Sequence, residues 1–171
     1  MDLQFLLDRY KWELDRKDKI SAAVNFPVTL LILVSGLLAT LFPRLQLSAP
    51  HVVVPVVVLY LAAVGSGIAS LTWFIRAYRG SAYLYLPLLA ALDEARNEWR
   101  QFYEYAKADR ADEDFFEHEF RGRIIEAADG NTSTNDRRQA YLDRGNVALI
   151  AMFVLTAASG ALSFLSVMFK L

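Results

Sequence analysis

The sequence contains no cysteine, which removes a whole group of chemistries from consideration. Disulfide bridges, thiolate nucleophiles, cysteine-ligated zinc and S-palmitoylation all require a thiol and are therefore excluded. Acidic, basic and histidine residues are also absent from three long apolar runs, at 20–42, 52–75 and 147–169. Because proton relays, secondary transporters and voltage sensors need a charged group within the membrane, this absence argues against ion-coupled transport.

Each of these runs has the length that an α-helix needs to cross a hydrocarbon layer of ~30 Å. Only residues 43–51 separate the first run from the second, so the two are expected to form a helical hairpin. The sequence therefore predicts an all-α membrane protein with three transmembrane helices. Its expected parts are a cytoplasmic amphipathic helix at 1–19, a transmembrane hairpin at 20–75, a cytoplasmic helical region at 76–146 and a C-terminal transmembrane helix at 147–171.

The distribution of lysine and arginine predicts an orientation in the membrane. Five of the 18 basic residues precede the first run, and eleven lie between 76 and 144. Only Arg44 and Lys170 lie outside these two blocks. Because cytoplasmic segments carry the excess of basic residues, we expect the N-terminus and the 76–146 region in the cytoplasm and the C-terminus outside.

The N-terminal segment has an apolar stripe at helical spacing, formed by Leu3, Leu6, Leu7, Tyr10 and Leu14. Charged residues of both signs fill the other face. Two interpretations remain open for this amphipathic helix. It docks on partner subunits or on the 76–146 region, or it lies among lipid headgroups with Trp12 as its anchor.

Apolar spacing in the 76–146 region predicts helices rather than strands. The first is expected over 84–108, with Pro87 tolerated in its first turn. An acidic turn at 109–114 follows, and Phe116 to Ala127 trace a second, shorter helix.

Residues 129–134 read Asp-Gly-Asn-Thr-Ser-Thr and are the clearest predicted break in the chain. A helix-stopping glycine is followed there by residue types that favour N-cap positions. A final helix is expected to begin near Asn135 and to continue into the third run.

Two residues near the start of the first run break its apolar character. Pro27 removes one helical hydrogen bond and clashes with the preceding turn, so it predicts a kink. Asn25 carries the only side-chain amide of the first two runs. An amide in lipid seeks a partner helix, so the side chain is expected to bond to a neighbouring helix or to line a pore.

Small residues recur along the three runs at spacings that let helix backbones approach closely. Such faces serve either packing within one chain or packing between copies, and the sequence does not separate the two. The candidate residues for oligomer packing or pore lining are the two residues of the first run described above, Asn25 and Pro27, and the small residues Gly36, Gly65, Ser66, Gly67 and Gly160.

Two clusters in the 76–146 region carry charges of one sign. The acidic cluster at 109–119 includes His118 and can be interpreted as a divalent-metal site or as a solvated helix start. The second interpretation is favoured, and no metal or other cofactor is predicted. The possible anion or signal site consists of Arg121, Arg123, Arg137 and Arg138, which would converge across the Gly130 break; ordinary juxtamembrane positive charge is the alternative.

The layout resembles the small bacterial membrane effectors of the SLATT type, which accompany nucleotide-second-messenger and related anti-phage operons. The resemblance rests on the charged start from Leu7-Asp8-Arg9-Tyr10 to Arg16-Lys17, on the hairpin of runs, and on Asn131-Thr132-Ser133-Thr134-Asn135-Asp136-Arg137-Arg138. The third run departs from a strict two-span plan. The resemblance implies a homo-oligomer in the bacterial inner membrane, with an operon-encoded soluble partner or a nucleotide signal as its activator.

Three hypotheses for the function follow. The first is an oligomeric inner-membrane effector that forms a pore or disrupts the membrane when its cytoplasmic helices sense a defence signal. The second is a non-catalytic anchor or scaffold subunit for a soluble partner, and the third is a membrane-tethered nuclease that uses His118. The net charge of −1 gives no general attraction to nucleic acid, so direct nucleic-acid binding is not expected beyond that third case.

Overall fold

A computed structural model describes residues 2–41, 50–79, 82–87, 89–105 and 111–169. These residues form α-helices joined by short connections, and no strand occurs among them. The helices are α1 (Leu3–Ala23), α2 (Asn25–Leu41), α3 (Pro50–Arg79), α4 (Leu89–Tyr105), α5 (Ala111–Asp114) and α6 (Arg121–Phe169), and a π-helical turn at Phe115–Phe120 joins α5 to α6. The predicted all-helical class is confirmed for these residues.

Three helical stretches are long and apolar enough to cross a membrane: Leu3–Thr40, Val53–Arg79 and Ala111–Met168. Each contains all but one or two residues of one of the uncharged runs. Most of the predicted loop at 43–51 lies outside the described residues, and only its last two residues are seen, at the start of α3.

The helix of the first run is interrupted at Val24, between α1 and α2. Because Pro27 has no N–H, it cannot donate to the carbonyl of Ala23, four residues back. The next backbone hydrogen bond along the helix is present, because the N–H of Val28 donates to the Val24 carbonyl at 3.2 Å. The helix is thus interrupted three residues before Pro27, and the kink expected at that proline stays a prediction.

The chain divides into two compact units. The polar unit consists of Met1–Lys19 and Gly80–Asp136, and the span unit of Ile20–Arg79 and Arg137–Leu171. Helices α1 and α6 contribute residues to both units.

The span unit is held together by close contact between α3 and α6. The Ser70 hydroxyl donates to the Gly145 carbonyl at 2.9 Å. One turn further along α3, the buried ring of Phe74 lies against Gly145, where a Cβ would come within 2.5 Å of the ring. The surrounding core is apolar and includes Leu31, Leu142 and Met152. Close packing stabilises such a unit in lipid, where the hydrophobic effect between helices is absent.

The polar unit has its own apolar core between α1 and α6. Leu6 and Tyr10 of α1 pack against Ile124, Ala127 and Ala128. The apolar stripe of the N-terminal helix is therefore covered by the helical region of its own chain, which is one of the two interpretations left open by the sequence. Trp12 lies on the other face, where the Arg9 guanidinium sits 4.4 Å from its ring centroid.

The predicted helix over 84–108 is wrong at its start, because residues 82–87 are not helical and α4 begins only at Leu89. Side chains hold the backbone of this segment. The Asn131 amide accepts from the N–H of Leu84 and donates to its carbonyl, both at 2.9 Å. The Tyr10 hydroxyl accepts from the N–H of Leu86 at 3.2 Å. These contacts replace the hydrogen bonds of a helix, and Pro87 lies outside the helix.

The predicted break at 129–134 is also wrong, since α6 runs through it without interruption. The final helix therefore begins at Arg121 and not near Asn135. Asparagine and threonine favour caps and turns, but in this part of α6 their side chains contact other segments of the chain. Gly130 leaves room for Leu84, whose Cδ1 would lie 2.7 Å from a Cβ at that position. The predicted acidic turn is helical at 111–114, and residues 109–110 lie outside the described residues.

Candidate functional site

Two of the predicted packing glycines lie on the outer surface of the span unit. Gly36 of α2 and Gly65 of α3 are exposed, and a Cβ at either position would meet nothing within 4 Å. Neither glycine is required by packing within the chain. Glycine inside a helix costs about 1 kcal/mol relative to alanine, so these two positions are the ones available for close approach by another helix.

The other small residues in the predicted set behave differently. Gly67 is buried, and a Cβ there would lie 3.0 Å from the sulfur of Met152 on α6. Pro27 is buried, while Ser66 and Gly160 are half-buried. Gly67 therefore serves packing within one chain, and the structure separates it from the two exposed glycines. A role for the remaining residues in a pore stays a prediction.

An open cavity of about 280 Å³ lies between α2 and α3. Its wall includes Ser35 and Ala39 of α2, Val64 and Ile68 of α3, and Met152 of α6. Gly67 is the glycine in this wall, and Gly36 and Gly65 lie outside it. The cavity is mostly apolar.

Asn25 is exposed at the first position of α2. Its side chain makes no hydrogen bond to any other residue that the structure describes. It lines a second and larger groove between α2 and α3. The expected bond to a neighbouring helix is therefore not seen within the described part of the chain.

Arg138 is buried within the span unit, although it was a candidate for binding an anion. Its Nε donates to the Ala77 carbonyl at 2.7 Å, and one terminal nitrogen donates to the Ser21 hydroxyl at 2.9 Å. The Ala77 carbonyl belongs to the last turn of α3, where a helix leaves acceptors unsatisfied and favours a cation. Arg138 thus links three helices at the C-terminal end of α3.

The other three arginines of that candidate set lie on the surface of α6. Arg121 pairs with Glu117 at 3.1 Å, and Arg123 pairs with Glu119 at 2.6 Å. Arg137 is exposed. The loop across which the four would converge does not exist, because residues 129–134 are helical. Anion binding by these arginines stays a prediction, but the loop on which their convergence was based is absent.

A buried polar network occupies the polar unit and was not predicted. Glu13 is fully buried and accepts hydrogen bonds from Thr132 at 2.7 Å and from Asn135 at 2.9 Å. Arg9 pairs with the same carboxylate at 3.0 Å. The Tyr83 hydroxyl donates to the Asn135 side chain at 2.6 Å. The signal available in the sequence was the spacing of Asn131 and Asn135, which places both amides on one face of a helix.

The acidic cluster at 109–119 does not form a site for a metal ion among the described residues. Asp112 accepts from both Arg100 and Arg96 of α4, at 2.7–3.0 Å. The hydrogen bond from Arg100, followed by that from Arg96, holds the pKa of the Asp112 carboxyl well below its usual range. The Tyr103 hydroxyl donates to Asp114 at 2.5 Å, which raises the pKa of that tyrosine.

His118, the residue proposed for a nuclease, is exposed in the π-helical turn. The carboxylates on either side of it, Glu117 and Glu119, pair with arginines of α6. No nucleophile is placed beside the imidazole among the residues that the structure describes. The geometry therefore adds nothing in favour of a nuclease.

No protein family, no curated protein and no solved structure matches this chain.

Proposed function

We propose that the chain is an oligomeric effector of the bacterial inner membrane that permeabilises the membrane, with the polar unit sensing the activating signal. The N-terminus and the polar unit face the cytoplasm in this proposal, because basic residues are concentrated there. The layout that resembles SLATT-type effectors supports a role in anti-phage defence. The observation that carries the proposal is the exposure of Gly36 on α2 and Gly65 on α3, where a Cβ would meet nothing within 4 Å.

Among the described residues, the centre of the span unit is filled by buried side chains. Val56 and Ala63 of α3 and Met152 of α6 are buried at the centre of that unit, and the core around them is apolar. Permeabilisation therefore requires several copies or a large rearrangement of one copy. Of these, assembly needs the smaller change in packing, because an apolar, uncharged outer surface is already available for contact.

The two exposed glycines provide the positions at which copies meet. A residue without a side chain lets a neighbouring helix approach to backbone contact, which is the basis of small-residue packing in membranes. The open cavity of about 280 Å³ between the same two helices receives a side chain of a neighbouring copy. Two separate features of α2 and α3 therefore favour self-association.

Signal transfer uses the helices that belong to both units. Helix α1 and helix α6 each contribute residues to the polar unit and to the span unit. The buried network around Glu13 ties these two helices together within the polar unit through Thr132 and Asn135. A ligand or protein that alters the network changes the helices that also form the spans.

The test is the mass of the detergent-solubilised complex for the Gly36→Leu and Gly65→Leu variants. A Cβ at either position meets nothing within 4 Å in one copy, so we expect folding to be retained while close approach between copies is blocked. We expect a multiple of the chain mass for the wild type and a shift towards the monomer for each variant. Gly122→Leu is the matched control, because that glycine also faces open space but lies in the polar unit. A monomeric wild type contradicts the proposal.

A second candidate function, a scaffold subunit for a soluble partner, is favoured by α4. Phe102 and Tyr105 are 68% and 92% exposed on this helix, outside the apolar runs. Acidic residues Asp93, Glu94 and Glu98 lie on its surface. Exposed aromatic residues beside charges of one sign are typical of a protein–protein contact, here with a basic partner.

The scaffold hypothesis is tested by affinity purification of the full-length protein from its native host. We expect one stoichiometric partner to be lost with Phe102→Glu and retained with Gln101→Glu, its exposed neighbour. Equal recovery from both variants contradicts a contact through α4.

A further inference from the structure

A groove of about 690 Å³ lies between α2 and α3, at the end where α2 begins and α3 finishes. Its walls are apolar and include Val28 of α2 with Leu71 and Ile75 of α3. Its polar residues include Asn25 and Arg79, which are the first residue of α2 and the last of α3. A groove of this size, apolar along its length with polar groups at one end, has the features of a small-molecule site.

The two polar groups at that end have no partner among the described residues. Arg79 is exposed and makes no ion pair or hydrogen bond with them, and the same is true of the Asn25 amide. Thr29, also in the groove, donates to the Asn25 carbonyl at 3.0 Å and is already satisfied. A cation and an amide donor therefore face the groove together with their hydrogen-bonding capacity unused.

The same end of α3 carries the features of a membrane–water boundary. Trp73 stacks on Tyr141 with ring centroids 5.6 Å apart. The guanidinium groups of Arg76 and Arg144 lie 4.9 and 5.1 Å from the Trp73 ring. Aromatic and basic residues gather in this way at the level of lipid headgroups. The polar end of the groove thus lies where phosphate groups are found.

We propose that the groove binds an anionic phospholipid, whose phosphate accepts hydrogen bonds from Arg79 and Asn25. Its acyl chain lies along the apolar wall formed by Val28, Leu71 and Ile75. Charge decides against a span of a second copy as the occupant, because the three apolar runs contain no acidic residue to pair with Arg79. The proposal is independent of self-association through the exposed glycines.

Native mass spectrometry of the delipidated, full-length protein in detergent tests the proposal with added phosphatidylglycerol and phosphatidylcholine. We expect the wild type to retain phosphatidylglycerol about five-fold more strongly, as one basic contact at a membrane surface gives. Arg79→Gln removes this preference, whereas Arg79→Lys keeps most of it. Arg76→Gln is the matched control: it removes the same charge from the same helix but lies outside the groove, and the preference is retained.

A variant that fills the groove separates lipid binding from other occupants. Thr29→Trp is expected to reduce the retention of both lipids, because it blocks the acyl-chain wall. Equal effects of Arg79→Gln and Arg76→Gln overturn the proposal, as does equal retention of the two lipids by the wild type. Displacement of the lipid by soluble glycerol phosphate overturns it in favour of a free-phosphate site. A change in the number of copies with Thr29→Trp, at unchanged lipid retention, overturns it in favour of a second copy.

Discussion

The side-chain amide of Asn131 holds the backbone of residues 82–87 in a non-helical conformation. Asn131 is fully buried, and its amide pairs with both backbone groups of Leu84. A backbone that is bonded in this way has no need of helical hydrogen bonds, and the Tyr10 hydroxyl provides the next contact at Leu86. The sequence does not reveal this contact of Asn131, because asparagine followed by threonine and serine is also typical of the start of a helix.

Asn131→Ala is expected to lower the free energy of unfolding in detergent by about 1–2 kcal/mol, the usual cost of leaving polar groups of a folded chain unpaired. The backbone amides of residues 84–86 should also exchange faster with deuterium. Ser133→Ala is the control, because this serine is exposed on the same helix. Equal thermal midpoints for the two variants would show that the Asn131 contact does not hold the segment.

Gly145 is a second residue whose role depends on one contact. A methyl group there would lie 2.5 Å from a ring carbon of Phe74, and Phe74 is buried on all sides. Gly145→Ala is expected to destabilise the protein by about 1–3 kcal/mol through overpacking. Gly122→Ala faces open space and is expected to be neutral or to stabilise by up to about 1 kcal/mol.

A double-mutant cycle identifies the cause of that loss. Phe74→Leu shortens the side chain that meets the new methyl group, so the penalty of Gly145→Ala should be smaller in its presence. Thermal unfolding in detergent gives the four values. If the two substitutions are additive, the contact between Gly145 and Phe74 is not the source of the destabilisation.

At the scale of elements, apolar spacing predicted which segments are helical but not where α4 begins, and the patterns that concern caps failed. The apolar runs, the α1 stripe and the interruption near Pro27 all follow from periodicity or from the missing N–H of proline. The break predicted at 129–134 does not occur. The Asn131 side chain bonds to Leu84 and the Thr132 hydroxyl to Glu13, so these residues do not cap a helix. A rule based on local sequence cannot see such long-range partners.

Asp112 is a carboxylate that links α5 to α4, and so is Asp114, which accepts from Tyr103. Asp112 accepts from Arg96 and Arg100, and these bonds depress its pKa. Its stabilising contribution is therefore complete above the unfolded pKa of about 3.9 and is lost as the pH falls through the lower folded value. At pH 7, Asp112→Asn should speed hydrogen exchange in α4, and the difference from wild type should vanish in strong acid.

Asp93→Asn, which removes a carboxylate from the exposed face of the same helix, is the control for that measurement. It should leave exchange in α4 close to wild type. Exchange that is equally fast in both variants would show that the general loss of acidic charge matters, and not the pairing of Asp112 with the two arginines.

At the scale of the whole molecule, composition and charge predicted the helical class and the three membrane-compatible helices. They did not identify which glycines have open space around them. In the sequence, Gly67, which faces Met152, looks no different from Gly36 and Gly65, which face open space. They also did not reveal that Arg138 is buried, with the Ala77 carbonyl and Ser21 among its partners. Both distinctions depend on contacts between distant parts of the chain.

The central claim is that copies of this chain assemble through close contacts at Gly36 and Gly65 and permeabilise the membrane. The most direct test is the membrane potential of bacterial cells, followed with a voltage-sensitive dye during induced expression. The account predicts depolarisation by the wild type and by Gly122→Leu, and a preserved potential with the Gly36→Leu/Gly65→Leu double variant at the same expression level. A potential that the wild type leaves untouched, or that the double variant collapses equally, would contradict it.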